Sequence, residues 1–217
     1  MPLVEPVSGM LYVTTELDQA VTVIDPKTLK IVGQIPTGQE QSHMLVVSRD
    51  GKRGYTANVG PGTVSVLDMV GRKTVAVIPV SGTTQRISMS RDGSMVFTAD
   101  QKAPQMAVID TATNKVKSWI ALPGVGYGST VTPDGKWLLV GMGPAKQLAA
   151  IDLRTMKVAH TIDVPAGSGE VLVRPDGKVA YVSCPIDGKV AEIDLETWTV
   201  VRVITAGAKA DGLAWVK

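Results

Sequence analysis

Apolar and polar positions alternate in short runs along this chain, and the same runs return every 42 residues. The clearest run reads VTVID (21–25), VSVLD (64–68), MAVID (106–110), LAAID (148–152) and VAEID (190–194). Alternation over four to six residues predicts half-buried strands rather than helices. Before each of these lies a second run rich in β-branched and aromatic residues, Leu11–Thr14, Tyr55–Ala57, Val96–Thr98, Trp137–Val140 and Ala180–Ser183. The turn glycines Gly9, Gly51, Gly93, Gly135 and Gly177 stand 42 residues apart. In four of the repeats they follow an aspartate, as in Arg49-Asp50-Gly51 and Pro175-Asp176-Gly177. Gly supplies the positive φ of a hairpin turn and Asp bonds the turning backbone. The aspartates closing the third run are Asp25, Asp68, Asp110, Asp152 and Asp194, and four of them continue as Asp-x-x-Thr. That pattern predicts side chains capping the turn into a fourth strand, with Gly71 in place of the threonine in the second repeat.

Each unit thus offers about four strands and no helix. A lone sheet of this kind leaves two apolar faces in water. Stacking sheets face to face buries both, at roughly 1.5–3 kcal/mol per enclosed aliphatic side chain. Radial stacking also leaves only short edges. The expected fold is therefore all-β, a β-propeller of five four-stranded blades in one domain over 1–217. The repeats run 1–42, 43–84, 85–126, 127–168 and 169–210, with a closing strand at 211–217 that aligns with the innermost strands and could complete the first blade beside Leu11–Thr15; the opening residues Leu3–Val7 then compete for that slot or lie outside it.

Composition narrows the function without naming it. Apolar residues make up 44% and charged residues 19%, as in globular domains, and the net charge is +2 with no basic stripe, so nucleic acid is not an expected partner. No apolar run is long enough to span a membrane as a helix. The single cysteine, Cys184, excludes an intramolecular disulfide, and no Cys-x-x-Cys-His attaches a haem covalently. The opening residues show no signal peptide.

The motif words YVTT (12–15), YTAN (55–58), FTAD (97–100), LVGM (139–142) and YVSC (181–184), with the Pro-Asp-Gly turns and the strand ending in Ile-Asp, resemble the YVTN β-propeller repeat family over nearly the whole chain. The resemblance implies a scaffold that presents loops to a small ligand or a protein, and export to the periplasm or beyond. It also implies seven blades, so the five repeats are either a closed five-bladed ring or the C-terminal part of a seven-bladed one. In the second case a homodimer would cover the exposed blade faces.

The crossings between blades carry the candidate chemistry. The 42-residue register aligns His43, Gln85, Tyr127, Gly169 and Asp211 in one ring, and Met44, Arg86, Gly128, Glu170 and Gly212 in the next. Dissimilar polar groups converging at a cavity mouth are a binding-site signature. The plain alternative is a wet channel in which Arg86 and Glu170 neutralise one another. In a site, Arg86 would orient a carboxylate or phosphate, His43 or Glu170 would act as base, Asp211 would orient His43 or a water, and Tyr127 or Gln85 would bond a carbonyl. These roles suit a lactone hydrolase, the alternative to a non-enzymatic binding scaffold. No cofactor is expected. For a metal, Glu170, Asp211 and His43 are the plausible set. His160 reads as a surface residue of a fourth strand, Cys184 as an idle thiol, and the four tryptophans as packing residues in strands. Gly124–Gly128 precedes a strand, so it is no phosphate loop.

Overall fold

A computed structural model describes residues 2–5 and 7–215. Twenty strands form five antiparallel four-stranded sheets, the blades of a β-propeller, and the described residues contain no helix. The first blade is β1 (Pro2–Val4), β2 (Leu11–Thr15), β3 (Ala20–Asp25) and β4 (Lys30–Pro36). The second is β5 (Ser42–Val47), β6 (Arg53–Asn58), β7 (Thr63–Asp68) and β8 (Lys73–Pro79). The third is β9 (Ile87–Met89), β10 (Met95–Ala99), β11 (Gln105–Asp110) and β12 (Lys115–Ala121). The fourth is β13 (Ser129–Val131), β14 (Trp137–Met142), β15 (Gln147–Asp152) and β16 (Lys157–Asp163), and the fifth is β17 (Val171–Val173), β18 (Val179–Cys184), β19 (Lys189–Asp194) and β20 (Thr199–Thr205).

Each sheet uses four consecutive strands, so no strand is exchanged between the ends of the chain. The expected closing strand is corrected accordingly. Residues 211–215 form no strand, and the inner edge of the first blade is held by β1, which pairs Pro2–Val4 with Leu11–Val13. Residues 216 and 217 lie outside the described residues. The local reason is the buried Glu5. Its carboxylate accepts the amides of Val7 and Ser8 at 2.8 and 2.7 Å and the Ser8 hydroxyl at 2.5 Å, which folds the link into a tight turn and returns β1 onto β2.

The chain forms two compact units, Met1–Met89 with Gly93–Asp100 and Ala107–Ser118, and Ser90–Asp92 with Gln101–Met106 and Trp119–Lys217. Blades one and two lie in the first unit, blades four and five in the second, and the third contributes to both. In the first unit Tyr55, Val64, Val66, Ile78, Ile87 and Ile109 make one core cluster. Tyr12, Val21, Ile35, Leu45 and Leu67 make a second. In the second unit Leu139, Leu148, Ile162, Val182 and Ile193 pack together with Cys184. The two middle strands of the second, third and fourth blades are buried along nearly their whole length, whereas the outer strands β8, β12 and β16 are mostly half-buried or exposed. That is the pattern of sheets covered on both faces, with one edge left to water.

The turns follow the sequence closely. All five turn glycines have φ between 69° and 74°. The Asp-x-x-Thr caps form at Asp110, whose carboxylate takes the Thr113 amide and hydroxyl at 2.8 and 2.9 Å, and at Asp194, which binds Thr197 in the same way. Gly71 offers Asp68 its amide at 2.9 Å. These backbone donors hold the Asp68, Asp110 and Asp194 carboxyls below the usual range, so this stabilisation is present above the unfolded carboxyl pKa and is lost as pH falls through the lowered one.

The residue four beyond each of these aspartates carries a left-handed backbone that the sequence does not announce. Leu29, Arg72, Asn114, Met156 and Trp198 have φ of 52° to 57°. In the first, third and fourth turns the amide of this residue closes onto the aspartate carbonyl at 2.7–2.9 Å. In two blades its side chain reaches back to the outer strand of the blade before. Arg72 donates to the Val32 carbonyl at 2.8 Å, and Trp198 stacks on His160 with ring centroids 4.3 Å apart. Trp137 meets both rings edge-on, at 5.4 and 4.9 Å. His160 is thus half-buried in an aromatic cluster rather than a plain surface residue. Trp198 sits in a turn and Trp215 outside any strand, which corrects the expectation that all four tryptophans are strand residues.

Candidate functional site

Hydroxyls of the second strands hold the backbone of the crossings. The Thr14 hydroxyl donates to the His43 carbonyl at 2.6 Å, Thr98 to the Arg86 carbonyl at 2.8 Å, and the Glu170 amide donates to Ser183 Oγ at 2.8 Å. Three of the ring residues named from the sequence are therefore positioned by short polar side chains on strands with buried interiors.

In the first unit His43 is the second residue of β5. Its Nδ1 bonds the Glu16 carboxylate, with the two side chains 27% and 41% exposed. The start of that strand is fixed by a buried polar network. Thr37 and Ser42 share a hydroxyl–hydroxyl bond of 2.7 Å, Ser42 donates to Asn58 Oδ1 at 2.8 Å, and the Asn58 amide donates to Thr63 and Ser65 at 2.9 Å each. Every member is satisfied, which is the condition under which such a network rigidifies. Gln85 is half-buried and Arg86 is buried in the same unit. A polar cleft of about 410 Å³ lies in this unit too, lined by Gln19, Gln39, Glu40 and neighbouring glycines, and none of the sequence candidates lines it.

In the second unit Tyr127, Gly169 and Asp211, which share one register position, come together. They line a cleft of about 600 Å³ with Gln101, Val125, Pro144, Ser168, Pro185, Ile186 and Lys209. Glu170 follows Gly169 and does not line it. The crossing at 127–128 is tied to β14 by two amides, Tyr127 to the Gly141 carbonyl and Gly141 to the Gly128 carbonyl, both 2.8 Å. The crossing at 166–170 is tied by Gly169 to the Ser183 carbonyl at 2.8 Å and by Ala166 to the Asp187 carboxylate at 2.8 Å. Gln101 donates to the Gly126 carbonyl at 3.0 Å. A Cβ on Gly169 would stand 3.0 Å from Asp211 Oδ1, so glycine there leaves room for the carboxylate to lie over the backbone.

One lining group stands out chemically. Ser168 is 1% exposed and its hydroxyl has no hydrogen-bond partner. A buried hydroxyl without a partner costs about 1–3 kcal/mol, and each such group in a folded protein calls for an explanation. Neither Ser168 nor Gln101, Ile186 and Lys209 was evident from the sequence. Ser168 sits one place before the aligned ring, and Ile186 belongs to a hairpin between second and third strands, where only turn chemistry was expected. The available signal was the hairpin proline pair Pro144 and Pro185, 41 residues apart.

Cys184 is buried, and burial raises its thiol to about 11, which leaves it protonated and unreactive at neutral pH. Among the described residues no three His, Cys, Asp or Glu side chains gather to hold a metal, so the set Glu170, Asp211 and His43 does not form such a site there.

The family model of the cytochrome D1 heme domain matches residues 7–130, more than half of the chain. No curated protein matches the sequence. Among solved structures, a chain of the Kuenenia stuttgartiensis hydrazine synthase is similar at a TM-score of 0.82 and 23% identity, over 90% of this chain and 62% of that one. At that identity the likeness shows the fold alone. This chain spans less than two thirds of the neighbour's length.

Proposed function

We propose, since the chain belongs to the cytochrome D1 heme domain family, that it is a binding scaffold whose second-unit cleft takes a small organic ligand. The observation that carries this reading is the unpartnered Ser168 hydroxyl in the cleft lining. A ligand atom that bonds it, once the side chain turns from Gly141 toward the cleft, removes a penalty the free protein bears. The volume of about 600 Å³ lies within the range of small-molecule sites. The likeness to YVTN repeats supports the same scaffold role. The alternative of a lactone hydrolase gains no support at this cleft, whose lining contains no imidazole to serve as base.

The test uses isopropanol and acetamide as probes, each followed by amide NMR shifts. Both are expected to perturb Ser168, Gly169 and Tyr127, and Ser168→Ala is expected to remove the perturbation at the two other residues. The same substitution should leave the protein as stable as before or stabilise it by about 1 kcal/mol, because it deletes an unsatisfied buried group. Perturbations that miss the cleft, or that persist unchanged in Ser168→Ala, overturn the proposal.

A second reading rests on His43. The family's name implies a haem, and the cleft of the second unit does not fit one, since no imidazole, thiolate or thioether lines it and Lys209 is its single cation. His43 is the side chain that would hold a haem iron, through Nε2. Its Nδ1 is engaged by Glu16, the arrangement in which a carboxylate orients a metal-binding imidazole and leaves Nε2 as donor. When bound, a haem would supply an iron centre for electron transfer or small-molecule ligation. Titration with hemin is expected to give a Soret shift that His43→Ala abolishes, while Glu16→Gln weakens binding by about tenfold. An unchanged Soret shift in His43→Ala rules this reading out.

A further inference from the structure

We propose that the ligand of the second-unit cleft is a zwitterion with an apolar body, of the class of a free apolar amino acid; this deepens, and rests on, the scaffold reading of that cleft. Two charged side chains line it, Lys209 and Asp211, of opposite sign and two residues apart on the segment after β20. A ligand bearing one charge is attracted by one of them and repelled by the other. A ligand bearing an ammonium and a carboxylate is complementary to both. The positions of both residues are set by their surroundings. The Lys209 amide donates to the Pro185 carbonyl at 3.3 Å, and the Asp211 carboxylate rests where Gly169 has no Cβ.

The rest of the lining suits the remainder of such a molecule. Val125, Pro144, Pro185 and Ile186 supply an apolar wall, and Ile186, 76% exposed, has apolar area that a ligand side chain can cover. Lys209 and Asp211 are exposed, whereas the Ser168 hydroxyl is closed off against Gly141, so the charges are the groups a ligand meets first. An α-amino acid meets them with its two charges and the wall with its side chain.

The experiment titrates the protein with L-phenylalanine, 3-phenylpropionate and phenethylamine, read by calorimetry and by amide shifts at Tyr127 and Gly169. L-Phenylalanine is expected to bind about tenfold more tightly than either analogue. Lys209→Gln should erase its advantage over phenethylamine, and Asp211→Asn its advantage over 3-phenylpropionate. If either analogue binds as tightly as L-phenylalanine, or L-phenylalanine fails to bind at millimolar concentration while isopropanol and acetamide still report on Ser168, the zwitterion assignment is wrong and the cleft stands. If none of these probes perturbs the cleft, both readings fall together.

Discussion

Gly128→Ala is expected to destabilise the protein by about 3 kcal/mol, close to the upper end of ordinary overpacking. An ideal Cβ on Gly128 would lie 2.1 Å from the Gly169 carbonyl oxygen and 3.0 Å from its carbon. Both are backbone atoms inside the second unit, and neither can swing aside as a flexible side chain would. Gly128 and Gly169 are each bonded into a neighbouring strand, so relief requires that a crossing shift as a body and strain those bonds. With a urea m-value of about 2 kcal/mol per molar, the unfolding midpoint should fall by about 1.5 M at unchanged slope. The fitting control is Gly212→Ala. It occupies the same position in the 42-residue register, yet nothing lies within 4 Å of its Cβ and its φ is not positive. Its midpoint should stay within experimental error of the parent protein or rise slightly. Equal effects at the two positions would mean that the close approach of the two crossings is not a feature of the folded protein.

Gly128 also shows how far the sequence could be read. The 42-residue beat is legible because each turn demands a residue with a positive φ and each middle strand must be apolar on both faces. Gly93 and Ile109 are dictated by local geometry that any repeat shares. The aligned ring was legible as a position but not as a role. Tyr127, Gly169 and Asp211 do share a cleft, whereas Gly128 is glycine because of the Gly169 backbone, 41 residues further on. Ser168 was invisible for the opposite reason. A serine in a crossing loop reads as solvated, and only packing against Gly141, whose Cβ would stand 2.7 Å from its Oγ, reveals that it is closed off from water. The opening residues and 211–217 competed for the inner edge of the first blade, and a three-residue strand has too little alternation to decide between them; the Glu5 turn decides for β1. The left-handed residues after each cap escaped because Leu29, Arg72, Met156 and Trp198 are not residue types that advertise that conformation.

Replacing Trp198 by glycine is expected to be less harmful than replacing it by alanine, the reverse of the usual order for a large side chain. Two terms act at this site. The side chain packs against the second-unit core and stacks on His160 with an interplanar angle of 11°, so its removal costs about 2–3 kcal/mol, somewhat less than a full core truncation because the residue is only half-buried. The backbone, at φ 57°, holds an L residue in a conformation that costs roughly 1–2 kcal/mol and that glycine adopts freely. Trp198→Ala keeps the backbone cost and loses the packing. Trp198→Gly loses the packing and sheds the cost, so it should be the more stable of the two by about 1 kcal/mol. Leu29 provides the calibration, since it has φ 55° and is 81% exposed, with little packing to lose. The difference between Leu29→Gly and Leu29→Ala measures the backbone term alone and should match the difference at Trp198. His160→Ala isolates the other term. In a double-mutant cycle with Trp198→Ala it should show a coupling of about 1 kcal/mol, the scale of an aromatic pair beyond its buried area. A coupling indistinguishable from zero would reduce the stack to mere proximity. The contacts with Trp137 and the core would then be what offsets the strained turn.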